Sequence, residues 1–147
     1  MFEFRPLWLV SLRAPAAAFG PYWAALVATL GLGGYLTSRL HLERRLHLLA
    51  VAAALPLSPV LLATSSSMAA VAAAQTALQL LVVIVGIHAG LLLHNAVPSA
   101  IRAGVSSEVG TLSWVLFLPL SLGIGWLARA HGVHEAGWAL VGAAALP

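Results

Sequence analysis

The sequence of 147 residues contains no cysteine, no lysine and no aspartate. The lack of cysteine excludes disulfides, thiolate catalysis and cysteine-ligated zinc or iron–sulfur centres from this chain. Charged residues make up only 7% of the sequence, against about 25% in an ordinary soluble domain. Seven arginines and four glutamates are too few to cover the surface of a soluble protein of this size. We therefore expect lipid to be the solvent for most of the chain.

Motifs typical of soluble enzymes are also missing, since no P-loop, GxSxG or HExxH sequence occurs. His131 and His134 form an HxxH pair, but without a further ligand the pair is only a weak metal signal. A pI near 10.7 would suggest nucleic acid as a partner of a soluble protein. Here the arginines lie between apolar runs and form no basic face. We predict no enzyme, no metal, no cofactor and no nucleic-acid partner.

Hydrophobic residues make up 61% of the chain and are grouped in long runs. A membrane-spanning helix needs about 20 largely apolar residues, because the hydrocarbon core is roughly 30 Å thick and a helix rises about 1.5 Å per residue. Four segments meet this requirement and are predicted to be full transmembrane helices: residues 21–38, 46–64, 68–94 and 99–128. Pro56 and Pro59 predict a kink in the second of them.

Two further segments are apolar but do not qualify as spans. Residues 136–147 would form roughly 18 Å of helix, which is too short to cross, and residues 1–20 are expected to be an interfacial or loop segment. The sequence therefore predicts an all-α, polytopic membrane helix bundle with four full transmembrane helices and an incomplete fifth. Residues 1–147 are expected to form a single membrane-embedded unit that is a fragment of a longer protein.

The arginines predict how the bundle is oriented. Arg39, Arg44 and Arg45 closely follow the first predicted helix, and Arg102 follows the third. The positive-inside rule therefore places loops 39–45 and 95–104 in the cytoplasm, in a multi-pass protein of the cell (inner or plasma) membrane.

The third predicted helix carries a stripe of polar and small residues within about 100° of one another. Its members are Gln75, Gln79, Gly86, Gly90 and His94. In one interpretation the stripe packs against other helices, with Gly86 and Gly90 as a GxxxG pair and the glutamines bonding across helices. In the other, Gln75 and Gln79 line a cavity and contact a solute.

His88 lies roughly opposite this stripe. An unpaired polar group in hydrocarbon is costly, so His88 is either a functional group or bonded to a neighbouring backbone carbonyl.

Small residues in the first and fourth predicted helices indicate close helix packing. They are Gly33 and Gly34 in the first, and Ser106 and Gly110 in the fourth. Glu108 is the only carboxylate in or beside a full span, and at hydrocarbon depth it could exchange protons. At the interface it would instead be ionised and stabilised by the helix dipole.

The stretch GGYLTSRLHLERRLHLL, residues 33–49, resembles a loop of major facilitator superfamily transporters. That glycine–acid–arginine loop joins their helices two and three, and a weaker copy joins helices eight and nine. The matching residues are Gly33, Leu36, Arg39, Arg44 and Arg45. Ser38 replaces the usual aspartate and the glycine after the first arginine is missing, which suits the second copy better.

A second stretch, residues 95–138, resembles the end of helix ten, the following cytoplasmic loop, helix eleven and the start of helix twelve of that family. The matching loop residues are Pro98, Arg102, Ala103, Gly104 and Ser106. Gly132 matches the glycine-containing extracellular turn. The resemblance covers residues 20–147.

The resemblance implies the C-terminal portion, helices eight to twelve, of a secondary transporter that moves a small solute by rocking two halves around a central site. Export is one direction of transport that it allows. It implies Gln75, Gln79 and His88 as cavity residues. It also implies roles at the cytoplasmic gate or in coupling, for example to protons, for Arg39, Arg102 and Glu108.

The implied partners are the lipid bilayer, a small-molecule substrate and the N-terminal half of the transporter. The alternative is a small oligomeric four-helix membrane protein. It would self-associate and act either as a transporter or as an assembly or scaffold factor.

Overall fold

The computed structural model describes residues 5–40 and 45–145, and every regular element in these two ranges is an α-helix. The helices are α1 (Arg5–Ser11), α2 (Ala16–Arg39), α3 (Arg45–Ala54), α4 (Leu57–Thr64), α5 (Met68–Ala96), α6 (Arg102–His131) and α7 (Val133–Ala145). The all-α prediction is confirmed for this part of the chain. Arg44 and the last two residues of the predicted incomplete helix lie outside the described residues.

In the described part of the chain, three helices are long and apolar enough to cross a membrane, namely α2, α5 and α6. They correspond to the first, third and fourth predicted spans. The predicted bounds are shifted by a few residues, since α2 begins at Ala16 and α6 begins at Arg102 and ends at His131. The segment predicted as interfacial, residues 1–20, contains α1 and the first turn of α2.

The second predicted span, residues 46–64, is not one helix. A turn at Leu55 and Pro56 divides it into α3 and α4. Proline has no N–H to donate to the carbonyl one turn earlier, and its ring clashes with that carbonyl. Pro56 keeps helical angles (φ −74°, ψ −19°), so α4 starts directly after it. The prediction of four full transmembrane helices is therefore not confirmed, because the expected kink is a break between two short helices.

Helices α2 and α5 run parallel and pack against each other. Tyr22 near the start of α2 bonds Gln75 near the start of α5, and Gly33 further along α2 meets Val83 further along α5. A Cβ atom on Gly33 would lie 2.5 Å from Val83 Cγ1. Glycine at position 33 is therefore what lets the two helices approach each other here.

The hydrophobic core lies at one end of the bundle. It forms where α1, the starts of α2, α5 and α7, and the ends of α4 and α6 meet. Its buried residues are Trp8, Leu9, Tyr22, Leu26, Leu62, Val71, Ala74, Ile124 and Ala136. We call this the packed end. The opposite end, which holds Arg39, Arg45 and Arg102, is called the open end.

Helix α6 is the least packed of the three long helices. Among its residues only Ile124 is buried, and its exposed side chains include Leu112, Trp114 and Leu116. It joins α7 through Gly132, whose positive φ of 96° suits a residue without a Cβ. Helix α7 packs in turn on α4 and α6, so α6 contacts the bundle mainly near its own C-terminal end.

Candidate functional site

The candidate cavity residues Gln75 and Gln79 lie on the buried face of α5, where they are 2% and 1% exposed. Tyr22 Oη donates a hydrogen bond to Gln75 Oε1 across the α2–α5 interface. An amide buried among apolar side chains needs such a partner, because an unpaired polar group there is costly. We call Tyr22, Gln75 and Gln79 the polar cluster. Its placement fits the packing interpretation of the stripe, and contact with a solute stays a prediction.

An apolar groove of about 1110 Å³ runs along the α2–α5 pair beside the polar cluster. It is bordered by residues 18–32 of α2 and 68–80 of α5, which corresponds to roughly 18–21 Å of helix. Leu9 of α1 lines it at the packed end, and Tyr22 of α2 is also among its lining residues. The groove and the polar cluster therefore share Tyr22.

The groove surface is apolar although two threonines lie in its wall. Thr29 Oγ1 donates to the carbonyl of Leu26 at 2.6 Å, and Thr76 Oγ1 donates to the carbonyl of Ala72 at 2.8 Å. Each hydroxyl is thus bonded within its own helix.

A smaller groove of about 410 Å³ lies between α5 and the α3–α4 segment, and the two grooves share Ala73 and Ala77.

Side chains from distant parts of the sequence bind the C-terminus of α4. The last four carbonyls of a helix have no donor within the helix. Trp8 Nε1 donates to the Leu62 carbonyl at 3.1 Å, and His134 Nδ1 lies 3.0 Å from the Ala63 carbonyl. Because a carbonyl can only accept, His134 Nδ1 carries the proton. Sequence reasoning missed Trp8 altogether and considered His134 only as a weak metal ligand.

The remaining residues of the predicted stripe are less enclosed. Of these, His94 is exposed. His88, which lies roughly opposite the stripe, is half-buried. A Cβ atom on Gly86 or Gly90 would meet nothing within 4 Å, and the same holds for Gly34 and Gly110. Of the glycines predicted to pack, Gly33 is the one in a tight interhelical contact, and packing roles for the other four stay predictions.

The residues predicted for the cytoplasmic gate lie toward the open end but do not form a cluster. The Arg39 guanidinium lies 5.4 Å from the centre of the Tyr35 ring. Arg102 Nη2 donates to the Val97 carbonyl at 3.2 Å. Glu108 is exposed further along α6, and Ser106 is half-buried. Their roles in gating or coupling stay predictions.

Among the residues that the structure describes, no group of three or more histidines and carboxylates is placed to hold a metal ion. The two histidines of the HxxH pair have separate partners. His131 packs edge-on against Trp126 with 5.9 Å between ring centres, whereas His134 contacts the end of α4.

No family model, curated protein or solved structure matches this chain. Its likeness to major facilitator transporters therefore depends on the sequence motifs at residues 33–49 and 95–138.

Proposed function

We propose that this chain forms part of a secondary transporter of the major facilitator type, which moves a small solute across the cell membrane. The observation that supports the proposal is the groove between α2 and α5. It follows two parallel helices of membrane-spanning length for roughly 18–21 Å, more than half of a hydrocarbon core about 30 Å thick. Six of its fourteen lining residues are alanines, contributed by both helices, so a solute can approach the helix backbones closely at these positions.

In this proposal α2 and α5 form one wall of the solute path. Tyr22 links that wall to the buried amides, because it is one of the residues that line the groove and its hydroxyl bonds Gln75. A solute that displaces Tyr22 would therefore disturb the polar cluster between the two helices. A second set of helices, either the other half of the transporter or another copy, would close the path from the opposite side.

The open end is the cytoplasmic side in this proposal. Arg39, Arg45 and Arg102 lie there, at or beside the ends of α2 and α5. Cationic residues near membrane helix ends favour the cytoplasm. The proposal also includes location in the cell membrane, binding of a small-molecule substrate and coupling of transport to protons.

A second function is supported by the exposure of α6. Every residue from 107 to 116 is exposed, so this part of α6 is uncovered on all sides. The helix is nevertheless 30 residues long and apolar enough to cross a membrane. Such a helix can pack against a second copy, as an oligomeric transporter or a scaffold protein would require.

Site-directed thiol labelling tests the first proposal without knowledge of the substrate. The chain has no cysteine, so a maleimide that reacts with thiols can label this segment only at the cysteine that is introduced. We compare Ala28→Cys, at an exposed position in the groove wall, with Leu30→Cys, at an exposed position of α2 that does not line the groove. A charged, membrane-impermeant maleimide should label position 28 at least ten times faster in inside-out membrane vesicles, where the reagent reaches the groove from the open end. Equal protection of both positions would mean that lipid or protein fills the groove, and would refute the solute path.

An immunoblot of native membranes separates the two functions further. An antibody against residues 39–47 should detect a band about three times larger than 15.2 kDa if the chain is the C-terminal portion of a twelve-helix transporter. A sole band near 15.2 kDa that is oligomeric in mild detergent would favour the oligomeric protein instead.

A further inference from the structure

We propose that the C-terminus of α4 is a latch: Trp8 and His134 hold α1 and α7 on it, and α1 is a strap that closes the groove at the packed end. The proposal does not depend on what the groove carries, because it concerns only the contacts that keep the packed end closed.

The first support is that α4 is too short to be held in place by its own hydrogen bonds. The helix is only eight residues long and is separated from α3 by the break at Pro56. A helix of this length is not stable by itself in water, and its position depends on tertiary contacts. The two hydrogen bonds from Trp8 and His134 reach its last turn from residues that are 54 and 71 positions away in sequence.

The second support is the turn that follows α1. The amide of Ala14 donates to the Leu9 carbonyl and the amide of Arg13 donates to the Val10 carbonyl, each at 2.9 Å. These two bonds define a Schellman motif, in which glycine is the usual residue at the left-handed position. Arg13 occupies that position with φ 55°, a conformation that disfavours residues with a Cβ. The docked position of α1 therefore includes local strain.

The strain is offset by burial of one face of α1. Trp8 and Leu9 are 2% and 1% exposed within the core, whereas Leu7 and Val10 on the other face are exposed. In the proposal, the strap has the docked position that the structure shows and a released position in which the turn at Arg13 relaxes. Because Leu9 also lines the groove, release of α1 opens the groove at the packed end.

The test measures how often the core becomes accessible at the packed end. The reporter is Val71→Cys in the otherwise cysteine-free chain, since Val71 is fully buried in the core and cysteine is slightly smaller than valine. Trp8→Phe keeps an aromatic ring and removes the N–H donor. Trp126→Phe is the matched control, because Trp126 is 66% exposed. The protein is kept in membranes, and modification by a membrane-impermeant maleimide is timed.

The latch predicts that the maleimide labels the Val71→Cys reporter at least ten times faster in the Trp8→Phe variant than in the Trp126→Phe control. His134→Gln should increase the labelling rate by a smaller factor. Rates within twofold of the control for a monodisperse Trp8→Phe protein would overturn the proposal. If Trp8→Phe does not fold, Arg13→Gly decides. Glycine relieves the strained turn, so labelling should slow about threefold, and an unchanged or faster rate would refute the latch.

Discussion

Helices α5 and α6 are almost equal in length, at 29 and 30 residues, and both are apolar enough to cross a membrane. Their packing is nevertheless very different. Helix α5 buries Val71, Ala74, Gln75, Gln79 and Ile84, whereas α6 buries Ile124. Hydropathy therefore identifies a membrane-length helix but does not indicate whether protein or lipid covers it.

The polar residues of the two helices explain the difference. Hydroxyls on α6 bond their own helix, since Thr111 donates to the Ser107 carbonyl at 3.0 Å and Ser113 to the Val109 carbonyl at 2.7 Å. The amide of Gln75 instead accepts a hydrogen bond from another helix. Apolar side chains gain little by leaving lipid for protein, so α5 needs a protein neighbour and α6 can face lipid.

The largest effect that separates the two helices should come from glycine substitutions. Gly33→Leu places side-chain atoms where Val83 of α5 already lies, and we expect it to reduce the free energy of unfolding by about 3 kcal/mol. The control is Gly110→Leu on α6, where a Cβ meets open space, and it should change that free energy by less than about 0.5 kcal/mol. Unfolding by SDS in mixed micelles measures both. Equal losses would mean that α2 and α5 are not packed as described.

A smaller effect is expected from the polar cluster. Gln75→Leu removes the acceptor for Tyr22 Oη and should cost about 1–2 kcal/mol of unfolding free energy. Tyr22→Phe combined with Gln75→Leu should recover part of that loss, because both polar partners are then removed. Ser113→Ala on α6 is the control and should be nearly neutral. A double-mutant cycle with no coupling between Tyr22 and Gln75 would contradict this assignment.

The smallest effect should come from the helix starts. Ser67 is the N-cap of α5, and its side chain accepts from the Ala70 amide, whereas the N-cap of α6, Ile101, has no side-chain cap. Ser67→Ala should therefore cost about 0.5–1 kcal/mol. Ser66→Ala, at the exposed position beside it, should cost less, and thermal unfolding in detergent can resolve the two. If Ser66→Ala has the larger effect, the cap is assigned to the wrong serine.

Run length was enough to predict α2, α5 and α6, because a helix of this length in lipid satisfies its own backbone and needs only apolar side chains. The same count failed for residues 46–64. Hydropathy does not register the hydrogen bond that Pro56 removes or the clash of its ring, and these divide the segment into α3 and α4.

The candidate site was predicted in part. The helical stripe identified Gln75 and Gln79 but not Tyr22. Its partner depends on the parallel packing of α2 and α5, which periodicity within one helix cannot reveal. The contacts of Trp8 and His134 could not be predicted either, because their acceptors are backbone carbonyls, which every residue has. The transporter assignment stays a prediction.

The hydrogen bond between α2 and α5 joins two residues that are synthesised at different times. Tyr22 and Gln75 are 53 residues apart, so at about 5–20 residues per second the ribosome reaches the second of them roughly 3–10 s after the first. Helix α2 carries the tyrosine hydroxyl into the membrane first. When α5 follows with its two glutamines, the hydroxyl that bonds Gln75 is already in the membrane, so that amide need not wait in lipid for its partner to be made.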